Sequence, residues 1–117
     1  MKRDDEIIRR MLFEFESSED FIIFDSVTDG STDEERKKFY HLQLMKDSGF
    51  VTHLGQHTAR LTSEGHDFLE AIRDEGIWKQ TKSAISETGG SVTLEIFKTL
   101  ATGFLKKKIE KHTGIEL

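Results

Sequence analysis

The sequence predicts an α+β domain ordered helix, short strand, helix, β-hairpin and helix, with one added amphipathic helix at the end. Three observations carry that expectation. Apolar residues recur at helical spacing in four stretches, the tetrad Phe21-Ile22-Ile23-Phe24 is β-branched and aromatic but short, and two strand-like runs meet across Gly55-Gln56. At 117 residues the chain suits one core, and its 35% hydrophobic and 33% charged residues are too apolar for disorder and too charged for a membrane protein.

Residues 3–16 place Ile7, Ile8, Met11, Leu12 and Phe15 on one helical stripe, with Asp4, Asp5 and Glu6 at its positive end. Phe21-Ile22-Ile23-Phe24, closed by Asp25, Asp29 and Gly30, reads as one buried strand. Ser31-Thr32-Asp33-Glu34-Glu35 then opens a helix over roughly 33–48 that carries Phe39, Leu42 and Met45 and stops at Gly49. Phe50 to Leu54 and His57 to Leu61 flank Gly55-Gln56, whose leading glycine fits a II′ turn. Pairing across that turn sets Phe50, Thr52 and Leu54 on one face with Leu61, Ala59 and His57, and Val51, His53, Thr58 and Arg60 on the other. Thr62-Ser63-Glu64-Gly65 caps a third helix carrying Phe68, Leu69, Ile72 and, past a break at Gly76, Ile77, Trp78 and Ile85. Thr88-Gly89-Gly90-Ser91 is the clearest linker, so the expected division is a domain at 1–88 and a linker with a C-terminal helix at 89–117. That last helix, from about 92 to 111, repeats Leu94, Phe97, Leu100, Ala101, Phe104, Leu105 and Ile109 on one stripe.

This order of elements is that of a winged helix, in which one helix enters the DNA major groove and the hairpin reaches toward the backbone. The run His41-Leu42-Gln43-Leu44-Met45-Lys46-Asp47-Ser48-Gly49-Phe50-Val51 resembles the end of the recognition helix in ArsR-type repressors. Leu61-Thr62-Ser63-Glu64-Gly65-His66 resembles the Leu-Thr-x-x-Gly that leaves the wing in MarR- and PadR-type repressors. Met1-Lys2-Arg3-Asp4 with Ile8-Arg9-Arg10, Tyr40-His41-Leu42 with Gly49, the run from Leu61 to Leu69, and Trp78-Lys79-Gln80-Thr81-Lys82 together resemble the domain-of-unknown-function family 2513. Those are small proteins of bacteria and their prophages with no established activity. The resemblance implies a winged-helix-like fold and a bacterial or prophage setting.

Net charge is −5, but its distribution matters more. Residues 14–35 hold nine acids and no base, whereas residues 36–60 hold Arg36, Lys37, Lys38, Lys46 and Arg60 against Asp47 alone. Arg36, Tyr40, Gln43 and Asp47 lie at helical spacing on one face, and with Lys37, Lys46, His53, Thr58 and Arg60 they make the candidate nucleic-acid surface: cations for phosphates, arginine or glutamine for base edges. The competing reading of the same residues is a solvated helix face. Residues 25–30 leave little room for the helix that normally braces a recognition helix, and the acids would repel phosphate if they faced it.

Other sites are weaker. His53 and His57 have a ligand-like spacing but fall on opposite faces of a hairpin, so no metal is expected. Cysteine is absent, which removes disulfides, thiolate zinc sites and iron–sulfur clusters, and no phosphate loop or serine elbow occurs. His41, among Leu42, Leu44 and Met45, reads as a core-edge histidine satisfied by backbone, so neither catalysis nor a cofactor is expected. Trp78 is a candidate partner anchor, its alternative being packing of its own helix on the first. Phe97, Leu100, Phe104 and Leu105 are expected to bury against a second copy, giving a homodimer through the C-terminal helix, or against the first helix.

The longest apolar run is four residues and the start is charged, so neither membrane span nor signal peptide is expected and the cytoplasm is the expected location. The leading expected function is a small DNA-binding or transcription-regulator-like protein whose partner is double-stranded DNA. Its rival is a protein-interaction module on the same scaffold that binds a host or phage protein through Trp78, the terminal helix or the acidic 14–35 segment.

Overall fold

A computed structural model describes all 117 residues. Its elements are α1 (Asp5–Ser17), β1 (Ile23–Phe24), α2 (Asp33–Asp47), β2 (Val51–Gly55), β3 (Thr58–Leu61), α3 (Ser63–Ile72), α4 (Glu75–Glu87) and α5 (Leu94–Thr113). The chain is therefore α+β, with five helices and one three-stranded antiparallel sheet, in an order compatible with a winged-helix-like arrangement plus a C-terminal helix. It divides into two units, Met1–His66 and Asp67–Leu117, and the divide falls inside α3. The division expected at 88/89 lies within the second unit, between α4 and α5. No helix is long and apolar enough to cross a membrane.

In the first unit, the Asp4 carboxylate caps α1 by accepting the Glu6 N–H at 2.9 Å, and Ile8, Met11 and Leu12 turn the helical stripe inward. A reciprocal capping box opens α2, with Thr32 Oγ1 accepting from Glu35 N at 3.1 Å and Glu35 Oε1 from Thr32 N at 3.2 Å. His41, buried to 1% exposure, ties the two helices together: its Nε2 accepts the Asp4 N–H at 2.8 Å and its Nδ1 donates to Lys37 O at 2.7 Å. Both ring nitrogens are thus satisfied by backbone, as the sequence suggested.

The sheet order is β1-β3-β2. Two expectations about it need correction. Of the tetrad Phe21–Phe24 only Ile23 and Phe24 pair, and Phe21 and Phe24 are 67% and 83% exposed instead of buried. The hairpin register is Val51 with Leu61, Thr52 with Arg60, His53 with Ala59 and Gly55 with Thr58. The turn is therefore Gln56-His57, with an irregularity at Leu54, and Gly55 lacks the positive φ that a II′ turn led by it requires. This register puts Val51 and Ala59, both almost fully buried, on one face together with His53, and Thr52 with Arg60 on the other.

One junction fixes where the hairpin leaves α2 and enters α3. Gly49, at φ +81°, ends α2 in a Schellman motif, with Gly49 N bonded to Lys46 O at 3.0 Å and Phe50 N to Met45 O at 2.9 Å. Thr62 answers from the far end of the hairpin: its N–H reaches Phe50 O at 2.9 Å, its hydroxyl donates to Gly49 O at 2.5 Å, and the same oxygen accepts from Gly65 N at 3.0 Å. Gly65 is required because a Cβ there would run into the Phe50 carbonyl.

In the second unit, Phe97 of α5 lies between Phe68 and Trp78, with ring centroids 6.0 Å and 5.2 Å away. The long third helix is two helices, broken at Arg73-Asp74 and not at Gly76. Asp74 is the reason, since its Oδ1 accepts Ile77 N at 2.9 Å as the N-cap of α4, while its other oxygen takes the Lys108 ammonium from α5.

Gly65→Ala is expected to destabilise the protein by about 2 kcal/mol in urea denaturation, although alanine is the better helix former by about 1 kcal/mol; a neutral or stabilising result would refute the close approach. The hydrogen bond from Lys108, followed by that from Ile77 N, holds the Asp74 carboxyl below its ordinary value. Because the fold favours the ionised form, its contribution is complete above the usual aspartate pKa and is lost as pH falls through the depressed one. Asp74→Ala is expected to lower Tm at neutral pH, and the gap from wild type should shrink once pH drops below about 4. A gap independent of pH would contradict the pairing.

Candidate nucleic-acid interface and the strand edge beside it

Residue by residue, the structure scatters the expected cationic surface. Arg36 is exposed and donates Nη2 to Thr28 O at 2.8 Å. Lys37 lies 4.0 Å from Glu34 on its own helix, and Lys38 is paired with Glu14 of α1 at 2.8 Å. Tyr40 is half-buried with its ring edge-on to His41. Gln43 turns in, donating Nε2 to Asp25 Oδ1 at 2.9 Å and to Phe39 O at 3.1 Å. Lys46 goes the same way, its ammonium bonded to Asp25 Oδ2 and its side chain only 12% exposed.

On the hairpin, Arg60 is exposed with Nη1 on Leu61 O at 3.0 Å, and Thr58 is half-buried. Thr58 and Arg60 are two residues apart on β3 and share a face, whereas His53, opposite Ala59, belongs to the other face. The grouping of His53 with Thr58 and Arg60 is corrected by that one-residue difference in register. Over α2 as a whole, Asp33, Glu34, Glu35 and Asp47 balance Arg36, Lys37, Lys38 and Lys46, four against four.

Asp25 is the residue that sequence reasoning passed over. Along β1 and beyond, Ile23 is buried, Phe24 exposed and Asp25 buried, the period-2 alternation of a strand. The Asp25 N–H continues the ladder to His57 O at 2.8 Å, so its carboxylate is delivered inward, where it needs donors. Gln43 and Lys46, one turn apart on α2, supply them. Burial pushes the Lys46 ammonium below the ordinary lysine value, so this cation is costly to keep inside and is held by the carboxylate it meets. The alternation Ile23-Phe24-Asp25 was the available signal.

The candidate partner residues lie in the second unit. Trp78 and Phe97 are 3% and 0% exposed, taken up in the ring cluster of their own unit, and Lys82 Nζ stands 5.5 Å over the indole. Leu100, Phe104 and Leu105 are half-buried on α5, with Phe104 lining a hollow beside Lys107, Lys108 and Lys111.

What the first unit does expose is the edge of its sheet. β1 is an outer strand, and beside it the exposed Phe21 and Phe24 flank two hollows of about 250 and 390 Å³ that share Phe15 and Ile23. Met11, Phe39 and Leu42 line the first, whereas Glu16, Glu19 and Asp20 line the second.

Fold and surface together define an α+β domain, compatible with a winged-helix-like arrangement, whose α2 carries as many acids as bases. The chain belongs to the family described as "Hypothetical protein (DUF2513)", whose model matches residues 2–91, from α1 through α4. It is similar to an uncharacterized protein of Haemophilus influenzae, at 24% identity over 93% of this chain and 99% of that one. No solved structure matches it.

Asp25→Ala is expected to cost about 3 kcal/mol, because it strands the Lys46 ammonium, and adding Lys46→Met should recover most of the loss. Guanidinium unfolding of both single variants and the double variant checks this. Additive losses would show that the two side chains do not meet.

Proposed function

We propose that the protein is a non-enzymatic protein-interaction module on a winged-helix-like scaffold, and that α2 and the hairpin do not read duplex DNA. The observation that carries this reading is the withdrawal of Gln43 and Lys46 onto Asp25, which removes the single amide of α2 and a central cation from the helix face that would meet a groove. Lys37 and Lys38 have carboxylates within 4.0 Å, and the acid-to-base balance of α2 leaves little counterion release to drive association. The absence of any helix between β1 and α2 supports it as well, since a groove-reading helix is normally braced by its predecessor. The bacterial or prophage setting implied by the family points to a host or phage protein as partner.

A second reading, a small DNA-binding or transcription-regulator-like protein, is favoured by the order of elements and by the exposure of Arg36, Lys37 and Arg60. Fluorescence anisotropy with a random-sequence duplex separates the two. The interaction-module reading expects no binding at low salt up to roughly 100 µM protein, the weak end of ordinary non-specific affinity. Binding that falls steeply with salt and is abolished by Arg36→Glu with Lys37→Glu and Arg60→Glu would overturn it.

A further inference from the structure

We infer that the open edge of β1 receives an extended, lysine- or arginine-bearing segment of a partner protein as an added strand of the sheet, an inference that rests on the interaction-module reading. Its first support is the main chain. β1 pairs with β3 only, in the register Ile23 with Ala59 and Phe24 with Thr58, and the next residue donates its N–H to His57 O. Hydrogen-bonded pairs alternate along an antiparallel ladder, so Ile23 and Asp25 face β3 while the Phe24 N–H and C=O face outward. Edges are commonly blunted by lysine, proline, shortness or an inward charge; β1 is short and Asp25 points inward, but residues 21–25 carry neither lysine nor proline on the outward side.

The side chains beside that edge supply the second support. Phe21 and Phe24 stand in solvent, and the hollow bounded by Met11, Phe15, Ile23, Phe39 and Leu42 lies next to them. Strand addition draws affinity from main-chain bonds and specificity from pockets that take alternate side chains, and this hollow can take an apolar one.

Charge selects the occupant. Asp20 spends an oxygen on Ile22 N at 3.1 Å and Glu35 one on Thr32 N, both neutral amides that leave the negative charge in place. Glu19, Asp20 and Glu35 thus line the two hollows without a cation partner. The one lysine lining either hollow, Lys38, is already paired with Glu14, which leaves Arg60 across the second hollow as the opposing base. A basic strand gains from this field. A second copy of the chain joined β1 to β1 would bring the same acids together, so self-association through this edge is disfavoured.

The test uses the full chain labelled with ¹⁵N and a synthetic peptide alternating lysine with valine and phenylalanine, alongside a peptide with glutamate for lysine. The lysine peptide should shift the amides of residues 21–25 and slow hydrogen exchange at Phe24. Glu19→Lys with Asp20→Lys should weaken it at least about tenfold, and N-methylation of alternate peptide residues should abolish binding. Absence of binding at millimolar peptide, equal binding of the glutamate peptide, or shifts confined to α2, the hairpin or α5 would overturn the inference. Concentration-dependent shifts of the same amides without peptide would also overturn it, in favour of a second copy. Such failures leave the interaction-module reading standing as long as duplex is not bound, whereas salt-sensitive duplex binding through Arg36 and Lys37 removes the reading itself.

Discussion

Asp25 holds three parts of the first unit at once. Strand alternation sends its carboxylate inward beside Ile23, its amide extends the β1 ladder to the hairpin turn, and its two oxygens take Gln43 and Lys46 from α2. A carboxylate at 6% exposure needs donors, and the nearest helix provides a lysine and an amide. Scaffold and surface are therefore coupled: the interaction that locks α2 against the sheet also takes from α2 the groups best suited to phosphate and base edges. What remains outside on α2, Arg36, Lys37 and Lys38 among Asp33, Glu34 and Glu35, is a mixed-charge helix face.

The same alternation has an outward consequence. If Ile23 and Asp25 turn in, Phe24 must turn out, and its backbone turns away from β3 with the next step of the ladder. Phe21 joins it in solvent, next to Glu19 and Asp20, whose carboxylates have no cation partner. The acidic 14–35 segment, one of the partner-binding elements weighed from the sequence, thus places carboxylates beside exposed aromatic rings and an open strand edge, a combination typical of surfaces that bind other proteins.

Much of the fold was legible because it is written in local chemistry. The capping residues Asp4, Thr32 with Glu35, and Gly49 mark helix ends that the structure reproduces to within a residue or two. The pairing of Gly49-Phe50-Val51 with Leu61-Thr62-Ser63-Glu64-Gly65 was informative for a reason visible only in three dimensions, since Thr62 and Gly65 bond and pack directly onto Gly49 and Phe50. Where local and tertiary preferences disagreed, tertiary burial won. Gly55 favoured a II′ turn, but placing Val51 and Ala59 inside shifts the turn to Gln56-His57, and that single residue separates His53 from Thr58 and Arg60. For Trp78 the sequence left a partner anchor and packing within the protein both open, because periodicity cannot distinguish an outward tryptophan from one stacked on Phe97 of a later helix. Spacing alone placed Lys46 and Gln43 on an outer face, and only the inward Asp25 on a distant strand could show that they turn away from it.

The environment of the Lys46 ammonium tests this account most directly. In heteronuclear NMR of side-chain ammonium groups, a lysine buried on a carboxylate keeps its protons long enough to be observed at neutral pH, while a solvated one exchanges them away. The account predicts a protected Lys46 signal beside an unprotected one for exposed Lys37. A Lys46 that exchanges as fast as Lys37 would mean that it is free to meet phosphate, and would return α2 to the role of a DNA-contacting helix.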